Sequence, residues 1–430
     1  MDVVASARTA VTLVAIAVIL AALAGCGSGG SDAPAAGGPA PAAVPATLLR
    51  PIPPPSGADC PAVALTTLGR VLQRIYDEGV SSEEVLAARD LINRNQQLHQ
   101  ALESGDASGA KAAATRLLAT KHMTHLTVER GGKVLADVGE PAIAPLEGQI
   151  KGSGGRVIGS YLATLFSAHT FESEAKGITY GEVAVRAGGK VQAGSTTFGA
   201  HELHGVGELT KDGIEYEYVA LPVAAYPSGT ATVEVFRTRR SLTPVCGTTR
   251  EETVARTLRG VATLIYKGEA GPRARLQVAR VQAYKPLLEA VASRNPEAAR
   301  KAIDILLHKH VVRLRVSSGG TLLADVGGPY VLAPLRAPLT LNGRQVGELE
   351  LSIQDDEGYK RLAERLAGVH VVMSMGGQVV KNSLGPITLP IPASGTYTYQ
   401  GHRYTVFTVP AEAFPSGPLT IRVLVPDPYL

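Results

Sequence analysis

From residue 59 onward the apolar positions keep two periods, and the periods follow one another in a fixed order. Leu68, Val71, Leu72 and Ile75 fall on one face at helical spacing, as do Val254, Leu258, Val261 and Ile265 in the second half. A further helix is predicted where Asn295 offers an N-cap and Pro296 an N1 proline, with Ala298, Ala302, Ile305 and Leu306 as its buried stripe. The period then falls to two. Leu126, Val128 and Val134 flank Gly131-Gly132, and Leu314, Val316 and Leu322 flank Gly319-Gly320, the pattern of hairpins closed by Gly-Gly turns. A Pro-rich stretch follows (141–146; 329–338), then a strand from Gly159 or Gly347, a short helix, a second Gly-Gly hairpin and two last strands. Tyr226-Pro227-Ser228-Gly229 and Phe414-Pro415-Ser416-Gly417 join those last strands, with proline at the second turn position and glycine at the fourth. Helices first and antiparallel strands afterwards make the fold class α+β.

The two halves are copies. Gly131–Pro141 (GGKVLADVGEP) matches Gly319–Pro329 (GGTLLADVGGP) at eight of eleven positions, 188 residues apart. The same separation of 188 relates Gly159 to Gly347, Gly188-Gly189 to Gly376-Gly377, Gly213 to Gly401 and the YPSG turn to the FPSG turn. So long a period is far above the about 20–50 residues of solenoid repeats and indicates a duplicated domain.

Upstream of the copies, residues 10–24 form one apolar run. At about 1.5 Å per residue it reaches roughly 22 Å, short of the roughly 30 Å hydrocarbon core, and reads as the apolar region of a signal peptide. Leu23-Ala24-Gly25-Cys26 closes it and resembles the lipobox of bacterial lipoproteins. That resemblance implies cleavage before Cys26, acylation of Cys26 and attachment to membrane lipid through two or three acyl chains, enough for a lasting anchor. Residues 27–58 are Gly, Ala, Pro and Ser with almost no charge, a composition that cannot offset its ordering entropy and so forms a tether. The expected organisation is a signal peptide (1–25), the lipidated cysteine and disordered tether (26–58), and two domains (59–243 and 244–430). Cys60 and Cys246 lie in the exported part, where disulfides persist; a bridge between them would tie the start of the first domain to its end, and free thiols or pairing between chains are the alternatives.

Charge narrows the function classes. The 42 basic and 38 acidic residues are interspersed, without the concentrated basic footprint of a nucleic-acid binder, so no nucleic-acid partner is expected. Long N-terminal helix, G-G-x-x-L-A-D-V-G hairpin, intervening segment, G-R-x-x-G strand and closing strand pair together resemble the PDC or Cache type of extracytoplasmic sensor domain, relatives of PAS folds, over both copies. The resemblance implies a five-stranded antiparallel sheet in each copy and a cavity for amino acids, carboxylates or similar small metabolites. Such domains usually feed a transmembrane helix and a cytoplasmic module. This chain offers neither, so the expected role is a non-enzymatic, lipid-anchored binding or sensory accessory protein on the outer face of the cytoplasmic membrane, presenting its state to an integral membrane partner. The other reading is a structural or interaction lipoprotein without a ligand.

Candidate chemistry is sparse. Asp355, Asp356 and Tyr359 open the short helix of copy two, where paired carboxylates suit a ligand ammonium group or, more simply, cap the helix. Copy one has Ser167, Ala168 and Phe171 there. Arg344, like Arg156, suits a ligand carboxylate or a turn. Tyr404 and Tyr216 recur as cavity lining or core. His201-Glu202-Leu203-His204 has its second histidine one residue short of the zinc helix spacing, and no metal or other cofactor is expected. His122 and His310, with His125 and His308 beside them, are assigned to packing or ligand contact. No nucleophile context such as G-x-S-x-G occurs, and no catalytic residue is assigned.

Overall fold

The structure, a computed structural model, describes residues 59–427 apart from 121–122, 200–202, 269, 308–310, 388–389 and 415–416. The leader, Cys26 and the tether lie outside the described residues, as do His122, His201, Glu202, His308 and His310.

Copy one begins with α1 (Cys60–Ser81), α2 (Glu83–Asn93), α3 (Gln96–Ser104) and α4 (Ala107–Thr120). Strands β1 (His125–Arg130), β2 (Lys133–Gly139), β3 (Ala142–Ile143), β4 (Leu146–Lys151), β5 (Val157–Thr164) and β6 (Phe166–Ser167) lead to α5 (Ala168–Thr179). Then come β7 (Glu182–Ala187), β8 (Lys190–Gly194), β9 (Gly205–Lys211), β10 (Ile214–Tyr226), β11 (Gly229–Thr238) and the single turn α6 (Arg239–Leu242). Copy two repeats the series: α7 (Arg250–Gly268), α8 (Pro272–Gln282), α9 (Lys285–Ala292), α10 (Pro296–Leu306), β12 (Arg313–Ser318), β13 (Thr321–Gly327), β14 (Val331–Leu332), β15 (Leu335–Leu341), β16 (Arg344–Ser352) and β17 (Gln354–Asp355). It closes with α11 (Asp356–Leu362), a π-helical turn over 363–367, β18 (His370–Met375), β19 (Gln378–Asn382), β20 (Gly395–Tyr399), β21 (His402–Phe414) and β22 (Gly417–Pro426).

Each copy is α+β, as its sequence predicts, but its strands divide between two antiparallel sheets. The larger contains the expected five long strands, in the order β8-β7-β11-β10-β9, extended by the two-residue strands β3 and β6; copy two matches it strand for strand. A second, four-stranded sheet, β2-β1-β5-β4 or β13-β12-β16-β15, precedes it. Both sheets set a first hairpin beside a last hairpin with their first and last strands adjacent. The Pro-rich stretch is the crossover between them: from β2 the chain passes to β3 in the large sheet and returns to β4 in the small one.

Local chemistry explains the elements. Asp59 caps α1 by accepting from the Ala62 amide at 3.3 Å, with Pro61 in the first turn, and the predicted faces of α1 and α7 are buried. Asn295 caps α10 as expected, accepting from Ala298 at 3.0 Å. Its buried stripe is rotated, however: Ala299, Ala302, Ile303 and Leu306 face the core and Ile305 is 52% exposed. The Gly131-Gly132 and Gly319-Gly320 turns have the positive φ that glycine permits. A bulge between Val128 and Glu129 shifts the hairpin register, so Val134 points to solvent while Leu126 and Val128 are buried.

The cores sit in three main places. Leu98, Leu102, Leu126 and Val128 belong to a core between α2–α4 and the small sheet of copy one, and Leu287, Val291, Leu314 and Val316 to its counterpart. The two large sheets share the third: α1, α5 and α7 with residues of both sheets form one continuous apolar cluster. Cys60 and Cys246 are bridged, Cα atoms 5.5 Å apart, joining the first turn of α1 to the segment just before α7. Among the described residues no helix is long and apolar enough to cross a membrane.

Candidate ligand cavity

Where β3 and the start of α5 pack against the end of the large sheet in copy one, the residues are too small to fill the space. Ala142, Ala168, Val185, Ala225 and Ala231 are buried floor residues of a half-open cavity of about 230 Å³. Gly188, Gln192, Tyr226, Pro227 and Ser228 also line it; Ser228 Oγ donates to the Thr230 carbonyl at 2.8 Å and Gln192 Nε2 to the Ala187 carbonyl at 3.5 Å. No lining residue carries a formal charge.

One wall is held by a polar cluster that the sequence only partly disclosed. The Tyr226 hydroxyl donates to Asp137 at 2.9 Å, and the Tyr226 ring lies 4.5 Å from that of His125. His125 is buried, with Nε2 2.8 Å from Asp137 Oδ1 and 3.0 Å from Thr127 Oγ1, and Nδ1 3.1 Å from the Glu140 carbonyl. Asp137 is the aspartate of the LADVG motif. In copy two the motif's Asp325 accepts from Arg313 Nε at 2.7 Å, Arg313 donates to the Gly328 carbonyl at 2.6 Å, and its guanidinium lies 5.5 Å from the Phe414 ring. The motif therefore supplies a carboxylate for a nitrogen-bearing side chain on the neighbouring strand, His125 in copy one and Arg313 in copy two. Retention of Asp at 137 and 325 and of a basic residue at 125 and 313 was the available signal.

At the corresponding positions copy two carries larger side chains. Strand register makes Met373, Met375 and Leu419 the counterparts of Val185, Ala187 and Ala231, and Val331 the counterpart of Ala142. Met373 and Leu419 are buried in the shared core, and Met375 packs against it.

The predicted site residues are distributed differently. Asp355 caps α11, accepting from the Gly358 amide at 2.7 Å. Asp356, the counterpart of Ala168, faces an ammonium group from within the chain: Lys381 Nζ lies 3.5 Å away and also contacts Glu357 at 3.2 Å. Burial raises the Asp356 carboxyl and Lys381 opposes it. Tyr359 is fully buried, its hydroxyl donating to the Ala262 carbonyl of α7 at 3.0 Å, and burial raises its hydroxyl pKa. Tyr404 lies in a separate cluster on the opposite face of the large sheet, edge-on to His370 at 5.7 Å. Arg344 is exposed at the start of β16 and Arg156 in the preceding turn of copy one. These residues do not converge on one cavity.

Two other features draw attention. A larger concavity of about 650 Å³ covers the open face of copy two's small sheet, but its charges satisfy one another: Arg336 lies 2.7 Å from Glu350 and 2.6 Å from Glu412. Asp59, Glu208 and Glu217 bring carboxylate oxygens together near the start of α1, where Arg239 contacts all three at 2.9 to 3.3 Å. That cation is already part of the chain.

No protein-family model matches the sequence, and no curated protein matches it. Among solved structures, the LuxQ periplasmic domain of Vibrio cholerae is similar at 13% identity and TM-score 0.26, over 39% of this chain and 98% of that one. The ligand-binding domain of the Pseudomonas fluorescens chemoreceptor CtaA, in complex with L-alanine, is similar at 11% identity and TM-score 0.27, over 43% and 99%. That of the Campylobacter jejuni chemoreceptor Tlp3, in complex with 4-methylisoleucine, is similar at 11% identity and TM-score 0.24, over 44% and 95%.

Proposed function

We propose that the chain is an extracytoplasmic small-molecule-binding protein, lipid-anchored through Cys26, that acts without catalysis and presents its ligand state to a membrane partner. The observation that carries the reading is the copy-one cavity, held open by alanines where copy two places longer side chains. Its lining has Tyr226 as its sole titratable group, which suits recognition rather than acid–base chemistry. The division at 59–243 and 244–430 then has a functional meaning: the first copy receives the ligand, and the second, packed shut at the equivalent place, serves as its support. The ligand-free structural role belongs on this reading to copy two alone.

The test has two arms. Metabolic labelling with a fatty acid, followed by membrane fractionation, should mark the wild-type chain and not Cys26→Ser. Thermal shift of the detergent-solubilised full chain against a metabolite library should find a stabilising compound, worth about 2.7 kcal/mol at 100 times Kd. Ala231→Leu, which installs the residue copy two already accommodates, should abolish that shift. A broad library without a hit would overturn the binding role.

A further inference from the structure

The chemistry of the cavity specifies what it admits, and this inference rests on the binding role just proposed. We infer that the copy-one cavity takes a neutral ligand with a compact apolar body and one hydrogen-bonding group, and excludes free amino acids and carboxylates.

Three observations converge. First, the floor is Ala142, Ile143, Val185, Ala225 and Ala231, all buried and all without a polar side-chain atom. A carboxylate or ammonium group placed there would lose its hydration without a counter-charge, at a cost far beyond that of an unpaired neutral polar group. The nearest carboxylate already described, Asp137, is engaged by His125 and Tyr226. Second, copy two carries larger apolar residues. Met373, Met375 and Leu419 stand at the positions of Val185, Ala187 and Ala231 and belong to or pack against the same apolar cluster, so thioether and aliphatic groups larger than those of copy one are accepted by this framework. Where copy two does bring a carboxylate to this place, on Asp356, it also brings the Lys381 ammonium that copy one lacks, since residue 193 is alanine. Third, size sets a limit. An apolar cavity of about 150 Å³ holds benzene, so the 230 Å³ present here suits a molecule somewhat larger than benzene. The single polar group of such a ligand would meet the polar residues of the lining, Tyr226, Ser228 and Gln192; the Tyr226 and Ser228 hydroxyls already donate to Asp137 and to the Thr230 carbonyl and keep lone pairs with which to accept from a ligand donor.

The experiment is calorimetric titration of the full chain with two probe sets: indole, p-cresol and 3-methylbutan-1-ol as neutral probes, and L-alanine, L-isoleucine and acetate as charged ones. At least one neutral probe should bind, and Ala231→Leu and Ala187→Met should each weaken it by about tenfold or more, the equivalent of about 1.4 kcal/mol. Circular dichroism of both variants should match wild type, because copy two carries the same residues at these positions. Binding of a charged probe that both variants abolish would overturn the neutral class and leave the binding role standing. Neutral binding indifferent to both variants would overturn the site. Failure of every probe in both sets, together with an empty library screen, would overturn the class and the binding role together.

Discussion

The end of the large sheet is built twice from one plan, and the two versions differ in what fills the angle between sheet, crossover strand and helix. In copy one Ala142, Val185, Ala187 and Ala231 line a cavity; copy two has the larger Val331, Met373, Met375 and Leu419 at these positions. The same division runs through the polar groups. On the opposite face of the large sheet copy one buries an ion pair, Arg186 Nε to Glu234 Oε2 at 2.6 Å, whereas copy two has Ser374 and Arg422, the latter donating to the Pro392 carbonyl at 3.2 Å. At the hinge between sheets copy one uses His125 and Tyr226, and copy two Arg313 and Phe414. The two copies thus share a backbone plan while their side-chain volume and charge differ.

The largest expected effect is at the buried ion pair. Glu234→Ala leaves Arg186, 7% exposed, without its partner, and should cost about 3–5 kcal/mol in urea denaturation. Arg422→Met in copy two removes a single hydrogen bond to a carbonyl and should cost about 1 kcal/mol; equal losses would break the contrast. Next comes the hinge. His125→Ala removes one of the groups that hold Asp137, leaving Tyr226 and Thr127, together with the partner of the Glu140 carbonyl, and should cost about 1.5–3 kcal/mol, whereas His125→Arg, the copy-two solution, should restore most of it. A His125→Arg variant as unstable as His125→Ala would show that the two hinges are not interchangeable. Tyr359→Phe gives copy two the ring that copy one has at Phe171, and should cost about 1 kcal/mol by leaving the Ala262 carbonyl short of a donor.

The last expected effect is a pH slope, to which copy one contributes Glu217. Burial, reinforced by Glu208 and opposed by Arg239, pushes the Glu217 carboxyl up to about 7 from its ordinary 4.5. Between those values the folded chain holds more protons than the unfolded chain, so this contribution to stability is complete at the acid side and is lost as pH rises through about 7. Burial raises Glu78 and Glu174 in the same sense. Copy two has Thr405 at the matching position and nothing there to titrate. Denaturation midpoints across pH 4 to 8 should therefore fall more steeply for wild type than for Glu217→Gln; parallel curves would remove Glu217 from the account.

Much of the plan was legible because it depends on local period. The faces of α1 and α7, the Asn295 cap, the Gly-Gly turns and the final strand pair are set by residues close in sequence, and each is found where the pattern places it. Ile305 misled because a stripe of alanines fixes a helix face weakly, and Ile303 competes for the same core. The second sheet escaped notice because the crossover strands β3 and β6 are two residues long and have no period. The cavity is the clearest case of information present but unreadable in line: Ala187 and Ala231 stand far apart in the chain and become neighbours only through the pairing of β7 with β11. The signal lies in the contrast between copies, small residues at 187 and 231 against large ones at 375 and 419, whereas the charged Asp355 and Asp356 are spent on a helix cap and on Lys381.

The central claim is an asymmetry of empty space, and xenon reports empty apolar space directly. A crystal of the chain pressurised with xenon should show the gas beside Ala187, Ala225 and Ala231 of copy one and none beside Met373, Met375 and Leu419. Xenon at both places, or only in copy two, would contradict the account.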